Sequence, residues 1–268
     1  MKIKTFFIYF CYTGFAFIVL AYFLFPGQKI AKIVSQRINE ISPDIEVDLK
    51  KINPVLPLGF KTEDSVVAVN KGVNIPIDSI IVYPEILTVF NKKKSAEFNI
   101  KAFSGLIKGS ISANFKKSLS QFDLQADFSN LKIKDITFSN DVSTVILAFN
   151  AGGECGYHAV SPKKGKGSGK ITLSDFTAMV NNAFLDQLGI YQFDFNPIDI
   201  KYKIDGNKLS ILKCTGQGSE LKRFSLKGEV VLKHPLEKSI MDLRGELTPD
   251  ASYLSNLAGI SSIAMLFN

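Results

Sequence analysis

The stretch that decides the fold is residues 97–128, EFNIKAFSGLIKGSISANFKKSLSQFDLQADF. Within it, apolar and polar residues alternate in three successive runs, and a period of two is typical of strands with one buried face. The runs are residues 97–102, 107–115 and 122–128. Ser104-Gly105 and Lys116-Lys117-Ser118 lie between the runs and favour turns. The stretch therefore predicts an antiparallel meander with one apolar face and one polar face.

The same alternation recurs on both sides of this stretch. Further strands are predicted at residues 45–49, 75–82, 198–204, 224–232 and 241–247. Asp205-Gly206-Asn207 is a hairpin signal, because glycine readily adopts the positive φ that tight turns require. Short strands separated by turns are typical of all-β architectures, so the chain is predicted to be mostly β.

One segment breaks the alternation. Asn150–Gly169 is rich in glycine, lysine and serine, a composition that predicts turns or a loop. This Gly/Lys-rich loop is predicted to join two halves, residues 28–150 and 170–268. After it, apolar residues recur at helical spacing from Asp175 to Leu188, with Ser174 placed to cap the first turn. This spacing predicts a helix that covers part of the sheet.

The amino-terminal stretch from Thr5 to Phe25 contains no charged residue. A helix of about 20 mostly apolar residues is long enough to cross a bilayer. The stretch is therefore predicted to be a membrane anchor, with Thr5 and Phe25 at its ends and Phe15 at its centre, within a segment at 1–27. Val19-Leu20-Ala21 has the small residues of a signal-peptidase site, but the apolar run continues beyond it and favours an uncleaved anchor.

The short tail before the anchor predicts a cytoplasmic amino terminus. Residues 28–268 then form a periplasmic domain of a single-pass protein in the bacterial inner membrane. Gln28–Ile41 has the spacing of an amphipathic helix, which is predicted to pack on the domain rather than lie on the bilayer. The predicted fold is mostly β, of the α+β class. Its transmembrane helix precedes a curved antiparallel meander or half-barrel covered by one or two helices.

The charge and the cysteines restrict the classes of partner. The formal net charge is +7, but no basic cluster lies on a helix of the kind that reads a nucleic-acid groove, so no nucleic-acid partner is predicted. Cys11 lies in the apolar run, where a thiol behaves as a small hydrophobic group. Cys155 and Cys214 would both lie in an oxidising compartment, and they are a candidate disulfide.

No motif of an enzyme is present. Cys155 and His158 form a single C-x-x-H pair, whereas a structural zinc site needs four ligands. Gly165–Lys170 lacks the spacing of a phosphate-binding loop. The sequence therefore predicts no catalytic residue, no metal and no cofactor. If the meander is long and curled, the part of its apolar face that the helices leave uncovered would be a groove able to hold phospholipid acyl chains.

The carboxyl-terminal strands carry one resemblance. Gly228-Glu229-Val230-Val231-Leu232, followed by Asp242-Leu243-Arg244-Gly245-Glu246-Leu247-Thr248-Pro249, resembles the pattern of the type II secretion protein N family, GspN. That family is similar in strand pattern to the AsmA-like group of membrane-anchored β-sheet proteins. The resemblance implies a non-catalytic inner-membrane component whose periplasmic β domain binds other type II secretion components. The AsmA-like pattern implies an alternative, a lipid-binding or lipid-transfer protein with an apolar groove.

Overall fold

The computed structural model describes residues 3–41, 45–56, 58–69, 73–85, 88, 91, 93–114, 121–139, 143–161, 164–182, 191–218, 221–233 and 238–250. The chain forms two compact units. Unit 1 comprises residues 1–84 and 98–102, and unit 2 comprises residues 85–97 and 103–268. Strands make up most of the described chain, as the alternation predicts.

The elements of unit 1 are α1 (Ile3–Phe23), α2 (Gly27–Ile41), β1 (Ile45–Asp48), β2 (Ile52–Val55), β3 (Gly59–Val69) and β4 (Val73–Pro84). Strand β5 (Lys93–Ala102) contributes residues to both units. The elements of unit 2 are β6 (Gly105–Asn114), β7 (Phe122–Ser139), β8 (Ser143–Ser161), β9 (Lys164–Asn182), β10 (Gln192–Asp205), β11 (Lys208–Gly218), β12 (Leu221–Val231) and β13 (Ile240–Pro249).

In unit 1, helix α2 packs against β1 and β2, which confirms the predicted packing. Gly27 permits the close approach, because a Cβ at this position would lie 2.0 Å from the carbonyl oxygen of Ile52. Farther along the helix, the Asn39 Oδ1 accepts a hydrogen bond of 2.8 Å from the backbone N–H of Val47. Ala31 is fully buried between these points. The core of unit 1 therefore includes the contact between α2 and these short strands.

Helix α1 includes most of the predicted anchor. Within the described part of the chain, no helix combines the length and the hydropathy needed to cross a membrane. Phe25 follows α1, and its ring lies 5.9 Å from the ring of Phe60 on β3. The end of the apolar stretch therefore packs on β3 within unit 1.

In unit 2, the eight strands follow one another in chain order, and each is antiparallel to the next. This order confirms the predicted meander. The predicted hairpin between β10 and β11 is also present, and Gly206 has the positive φ of 61° that the turn requires.

The predicted loop at 150–169 is wrong. Most of this segment belongs to β8 and β9, the two longest described strands, and it lies inside unit 2 rather than between two halves. Glycines are present because two tyrosine rings lie across β9. A Cβ at Gly165 would lie 2.0 Å from the Tyr157 hydroxyl, and one at Gly169 would lie 2.5 Å from the Tyr202 hydroxyl. The glycines therefore provide room for rings on a sheet.

The predicted helix at 175–188 is also wrong over 175–182, where β9 continues; residues 183–188 lie outside the described part. Asp175 has a positive φ of 50° at a break in the β8–β9 register. Its carboxylate accepts a hydrogen bond of 2.7 Å from the Asn150 side chain. Residues 177–179 pair with both β8 and β10, and this tertiary pairing prevails over the helical spacing. The segment predicted to cover the sheet of unit 2 as a helix is therefore, over residues 175–182, part of a strand of that sheet.

Candidate apolar binding face

The register of unit 2 places apolar side chains from all eight strands on one side of the sheet, here called the apolar face. Each strand contributes alternate residues, and cross-strand pairs bring them side by side. Its central members are Ile107, Ile111, Leu124, Phe128, Ile171, Leu173, Ile198, Ile200, Ile211, Leu226, Val230 and Leu243. A continuous apolar surface therefore extends from β6 to β13.

The large side chains of the apolar face are not covered. Ile198, at 5 % exposure, is the one large aliphatic side chain of the face that is fully buried among the described residues. The other fully buried members are small. Each described strand of unit 2 packs mainly against its neighbours in the sheet, and no described helix or second sheet makes an extensive contact with it. Among the described residues the face is therefore a single layer that meets solvent.

A row of phenylalanine rings crosses one end of the apolar face. The Phe149 and Phe176 rings are stacked at 5.8 Å, and the Phe176 and Phe195 rings lie 6.0 Å apart. Phe195 meets Phe224 edge to face at 5.0 Å. Strand β11 lies between these last two and presents Gly216, where a Cβ would lie 2.3 Å from the Phe224 ring. The glycine allows the aromatic row to continue across five strands, four of which contribute a ring.

The dimensions of the apolar face suit several acyl chains. Strands β8 and β9 have 19 residues each. At about 3.3 Å per residue, such a strand is about 60 Å long. One leaflet of a bilayer's hydrocarbon core is about 15 Å thick, half of the whole core. The face is thus longer than a single extended acyl chain.

Three titratable side chains of the apolar face are partly buried among their neighbours in the sheet. Burial raises the pKa of the Cys155 thiol, and the nearby Asp127 carboxylate raises it further. Burial also raises the pKa of Cys214 and, aided by Cys155, the pKa of Tyr202. Because desolvation disfavours the charged form of each group, these side chains are neutral at pH 7. The face therefore carries no charge at its centre.

The candidate disulfide is not formed. Cys155 and Cys214 are both free thiols. They lie on β8 and β11, with β9 and β10 between them. Three inter-strand steps of about 4.8 Å separate the two strands by about 14 Å, and the register offsets the two residues along the strands as well, whereas a disulfide requires a Cα separation of less than about 7 Å. Both thiols instead belong to the apolar face.

The remaining sequence-predicted residues do not converge on a second site. The side chains of Thr5 and Phe15 on α1 lie outside the described set. Cys155 and His158 are three residues apart on one strand and therefore project from opposite faces. Within the described ranges, no group of three or more His, Cys, Asp or Glu side chains could hold a metal ion.

His158 instead belongs to a charged cluster on the polar face. Its Nδ1 contacts the Asp123 carboxylate, which also accepts a hydrogen bond of 2.8 Å from Lys93. Lys93, followed by His158, lowers the pKa of Asp123 to about 2. The cluster links three strands, β5, β7 and β8, by side-chain contacts. This role is structural.

No protein-family model, characterised protein or solved structure matches this chain. The apolar face is therefore recognised by its geometry alone. Sequence reasoning missed its part on β8 and β9, although a signal was present. In Gly165-Lys166-Gly167-Ser168-Gly169-Lys170, glycine alternates with polar residues at the period of a strand, and glycine takes the positions on the apolar face.

Proposed function

We propose that this protein is a non-catalytic, membrane-associated lipid-binding protein, and that the apolar face of unit 2 holds phospholipid acyl chains. One observation carries the proposal: the apolar face is continuous over eight strands and is not covered by the described residues. Large exposed apolar surfaces mark binding sites, because leaving them in water is unfavourable. Acyl chains match a long surface that is mainly aliphatic and aromatic and whose polar groups, such as the Tyr202 hydroxyl, are uncharged.

The proposed location follows from the amino-terminal stretch. Thr5–Phe25 has no charged residue, and the side chains of Phe7, Phe10 and Phe17 on α1 are exposed. Although no described helix has the combined length and hydropathy of a spanning helix, we propose that α1 inserts in the inner membrane through these exposed rings and that the rest of the chain is periplasmic. If so, the Phe10→Lys and Phe17→Lys double variant is extracted from membranes by alkaline carbonate, whereas the unmodified chain is retained. Equal extraction of both proteins would argue against the anchor.

Native mass spectrometry of the full chain extracted in mild detergent tests lipid binding. We expect bound phospholipid in at least a one-to-one ratio. The Ile111→Glu variant places a charge on the apolar face, whereas Ser110→Glu places the same charge on the polar face. Lipid should be lost from the first variant and retained by the second. A lipid-free unmodified chain, or equal loss in both variants, would contradict the proposal.

A second candidate is an accessory component of the type II secretion system, similar to GspN. Its support is the position of the resembling residues, which form the adjacent strands β12 and β13 at the end of the strand order. Among the described strands, β13 pairs with β12 alone, and an edge of this kind can accept a strand from a partner protein.

Site-specific photo-cross-linking tests the second candidate. A cross-linker at Met241 on β13 should capture a secretion component, and one at Lys132 on β7 should not. Capture of phospholipid alone at Met241 would favour the lipid-binding role.

A further inference from the structure

The polar face of unit 2 carries a second feature, which is independent of acyl-chain binding. Each of the strands β9 to β13 has a basic residue that lies beside the basic residue of the next strand. Lys170 is opposite Lys201, which is opposite Lys213, and Lys227 is opposite Arg244. Lys227 on β12 lies opposite a β-bulge in β11, which contains Leu212 and Lys213. These five side chains, here called the cation row, are Lys170, Lys201, Lys213, Lys227 and Arg244.

The cation row extends perpendicular to the strands. Four steps of about 4.8 Å give it a length of about 19 Å. All five side chains are exposed, and within the described part of the chain none of them forms an ion pair. Glu154 on β8 is opposite Lys170, and beyond this position the row contains no acidic residue.

The arrangement is unfavourable for the isolated sheet. Like charges that are directly opposite on neighbouring strands destabilise a sheet, and here the opposition is repeated along the row. The same face contains other cations that do find acidic partners: Lys208 lies 2.6 Å from Glu229, and Lys93 lies 2.8 Å from Asp123. Folding stability therefore does not account for the cation row, whereas an anionic partner would.

The surroundings of the cation row favour one kind of partner. Two shallow hollows of about 590 and 600 Å³ lie along it. Leu212 borders both of them and is 46 % exposed. Four of the five cations are lysines, whose flexible ammonium groups act as point charges without the fixed geometry of arginine. A line of mobile positive charges with an exposed leucine suits the surface of an anionic bilayer, where headgroups lie above apolar chains.

We propose that the cation row binds the anionic phospholipid headgroups of a bilayer surface. The phosphates lie along the ammonium and guanidinium groups, and Leu212 contacts the boundary of the acyl chains. This interaction is electrostatic, so it weakens as salt rises. It does not require lipid to be bound on the apolar face, which is on the other side of the sheet.

The test uses the full chain held in nanodiscs of phosphatidylcholine alone, so that the apolar helix α1 already has a lipid environment. These nanodiscs are mixed with vesicles of phosphatidylcholine, with or without about 30 % phosphatidylglycerol, and binding is measured by flotation. We expect binding to the anionic vesicles only, with a steep loss between low and high salt.

A charge-matched pair of variants locates the binding surface. The row variant is Lys201→Gln, Lys213→Gln, Lys227→Gln and Arg244→Gln. The control variant removes four exposed lysines of unit 2 that lie outside the row, by Lys108→Gln, Lys132→Gln, Lys134→Gln and Lys164→Gln. Each basic residue near an anionic surface favours binding several-fold, so the row variant should bind at least about 100-fold more weakly. The control variant should stay within about threefold.

Two measurements separate binding from folding and from other partners. The melting temperature of the row variant should equal or exceed that of the unmodified chain, because cross-strand repulsion is removed. Equal loss of vesicle binding in the row and control variants would overturn the proposal, since net charge alone would then explain it. Failure of the unmodified chain to bind anionic vesicles would also overturn it. In that case, binding of a polyglutamate peptide by the same preparation would identify an acidic protein segment as the partner.

Discussion

Unit 1 and unit 2 are built from the same kind of antiparallel strand, but they bury their apolar residues differently. In unit 1, helix α2 packs on β1 and β2, and larger side chains such as Val47, Ile52 and Ile77 are buried. The buried residues there even include a polar pair, in which the Thr62 and Ser65 hydroxyls are 3.1 Å apart. Unit 2 is much larger, yet the fully buried residues in its described part are small, apart from Ile198.

The difference shows that strand alternation alone does not make a core. Alternation collects apolar residues on one face, but a second layer is needed to remove them from water. In unit 1, a helix supplies part of that layer. In unit 2, the described part of the segment predicted to supply it, residues 175–182, extends the sheet instead, so no described residue covers the apolar face. The contrast between a covered and an uncovered sheet leads to four predictions.

The largest expected effect concerns the covered sheet. Ile77→Ala removes a side chain that is 9 % exposed and should lower the free energy of unfolding by about 3 kcal/mol. Ile111→Ala removes an apolar side chain that is 39 % exposed, and it should cost about 1 kcal/mol. Chemical denaturation of both variants in lipid-free detergent measures the difference. Equal losses would show that unit 2 has a filled core.

The next effect tests the glycines of β9. Gly169→Val places a side chain against the Tyr202 hydroxyl and the Glu154 carbonyl oxygen, where a Cβ would already be within 2.7 Å of both. The resulting overpacking should cost about 2 kcal/mol or more. Gly156→Val is the control, because no atom lies within 4 Å of a Cβ there, and it should change stability by about 0.5 kcal/mol or less. Similar tolerance at both positions would indicate a loop rather than a strand.

A smaller effect concerns the thiols of the apolar face. In a Cys11→Ser background, mass spectrometry after alkylation without reductant should find two modified cysteines, Cys155 and Cys214, because no disulfide joins them. The raised pKa values lower the thiolate fraction, so alkylation should accelerate as the pH increases from 7 to 9. Added phospholipid should slow the reaction several-fold. An unreactive, covalently paired protein would contradict the separation of the two strands.

The smallest effect concerns the polar face. Lys93 and His158 hold the pKa of Asp123 at about 2, below its ordinary value of 3.8. A lowered carboxylate pKa stabilises the fold above the unfolded value, and the stabilisation is lost as the pH falls from 3.8 towards 2. Asp123→Asn should therefore lower the melting temperature slightly at pH 6 and have no effect near pH 2. The shift is small because these groups are largely exposed. A difference that persists at low pH would assign the effect to packing.

The success of the sequence predictions depended on the side chains that mark each strand. In β6, β10, β12 and β13, apolar residues with large side chains alternate with polar ones, so both the strands and the apolar face were predictable. In the first part of β9 the positions on that face are glycines, Gly165, Gly167 and Gly169. Glycine has no side chain to mark a buried face, so this segment resembles a turn when only the sequence is known. These glycines are needed because the rings of Tyr157 and Tyr202, on other strands, occupy the space that a side chain would fill.

The cation row was not predictable for a related reason. Its five members are more than 70 residues apart along the chain at the extremes, from Lys170 to Arg244. Each is an ordinary polar residue in an alternating strand. Only the register aligns them, and the break at Leu212 in β11 shifts that register by one residue.

The sequence by itself determined the mostly β class, the meander order and the amphipathic helix α2, because these depend on local periodicity and on turns between neighbours in the chain. It also determined that apolar residues collect on one side of each strand. Only the tertiary structure decided that 150–182 belongs to the sheet, that Cys155 and Cys214 are two strands too far apart to pair, and that unit 2 lacks a described covering layer. These outcomes depend on inter-strand register and on packing between distant segments, which local periodicity does not specify.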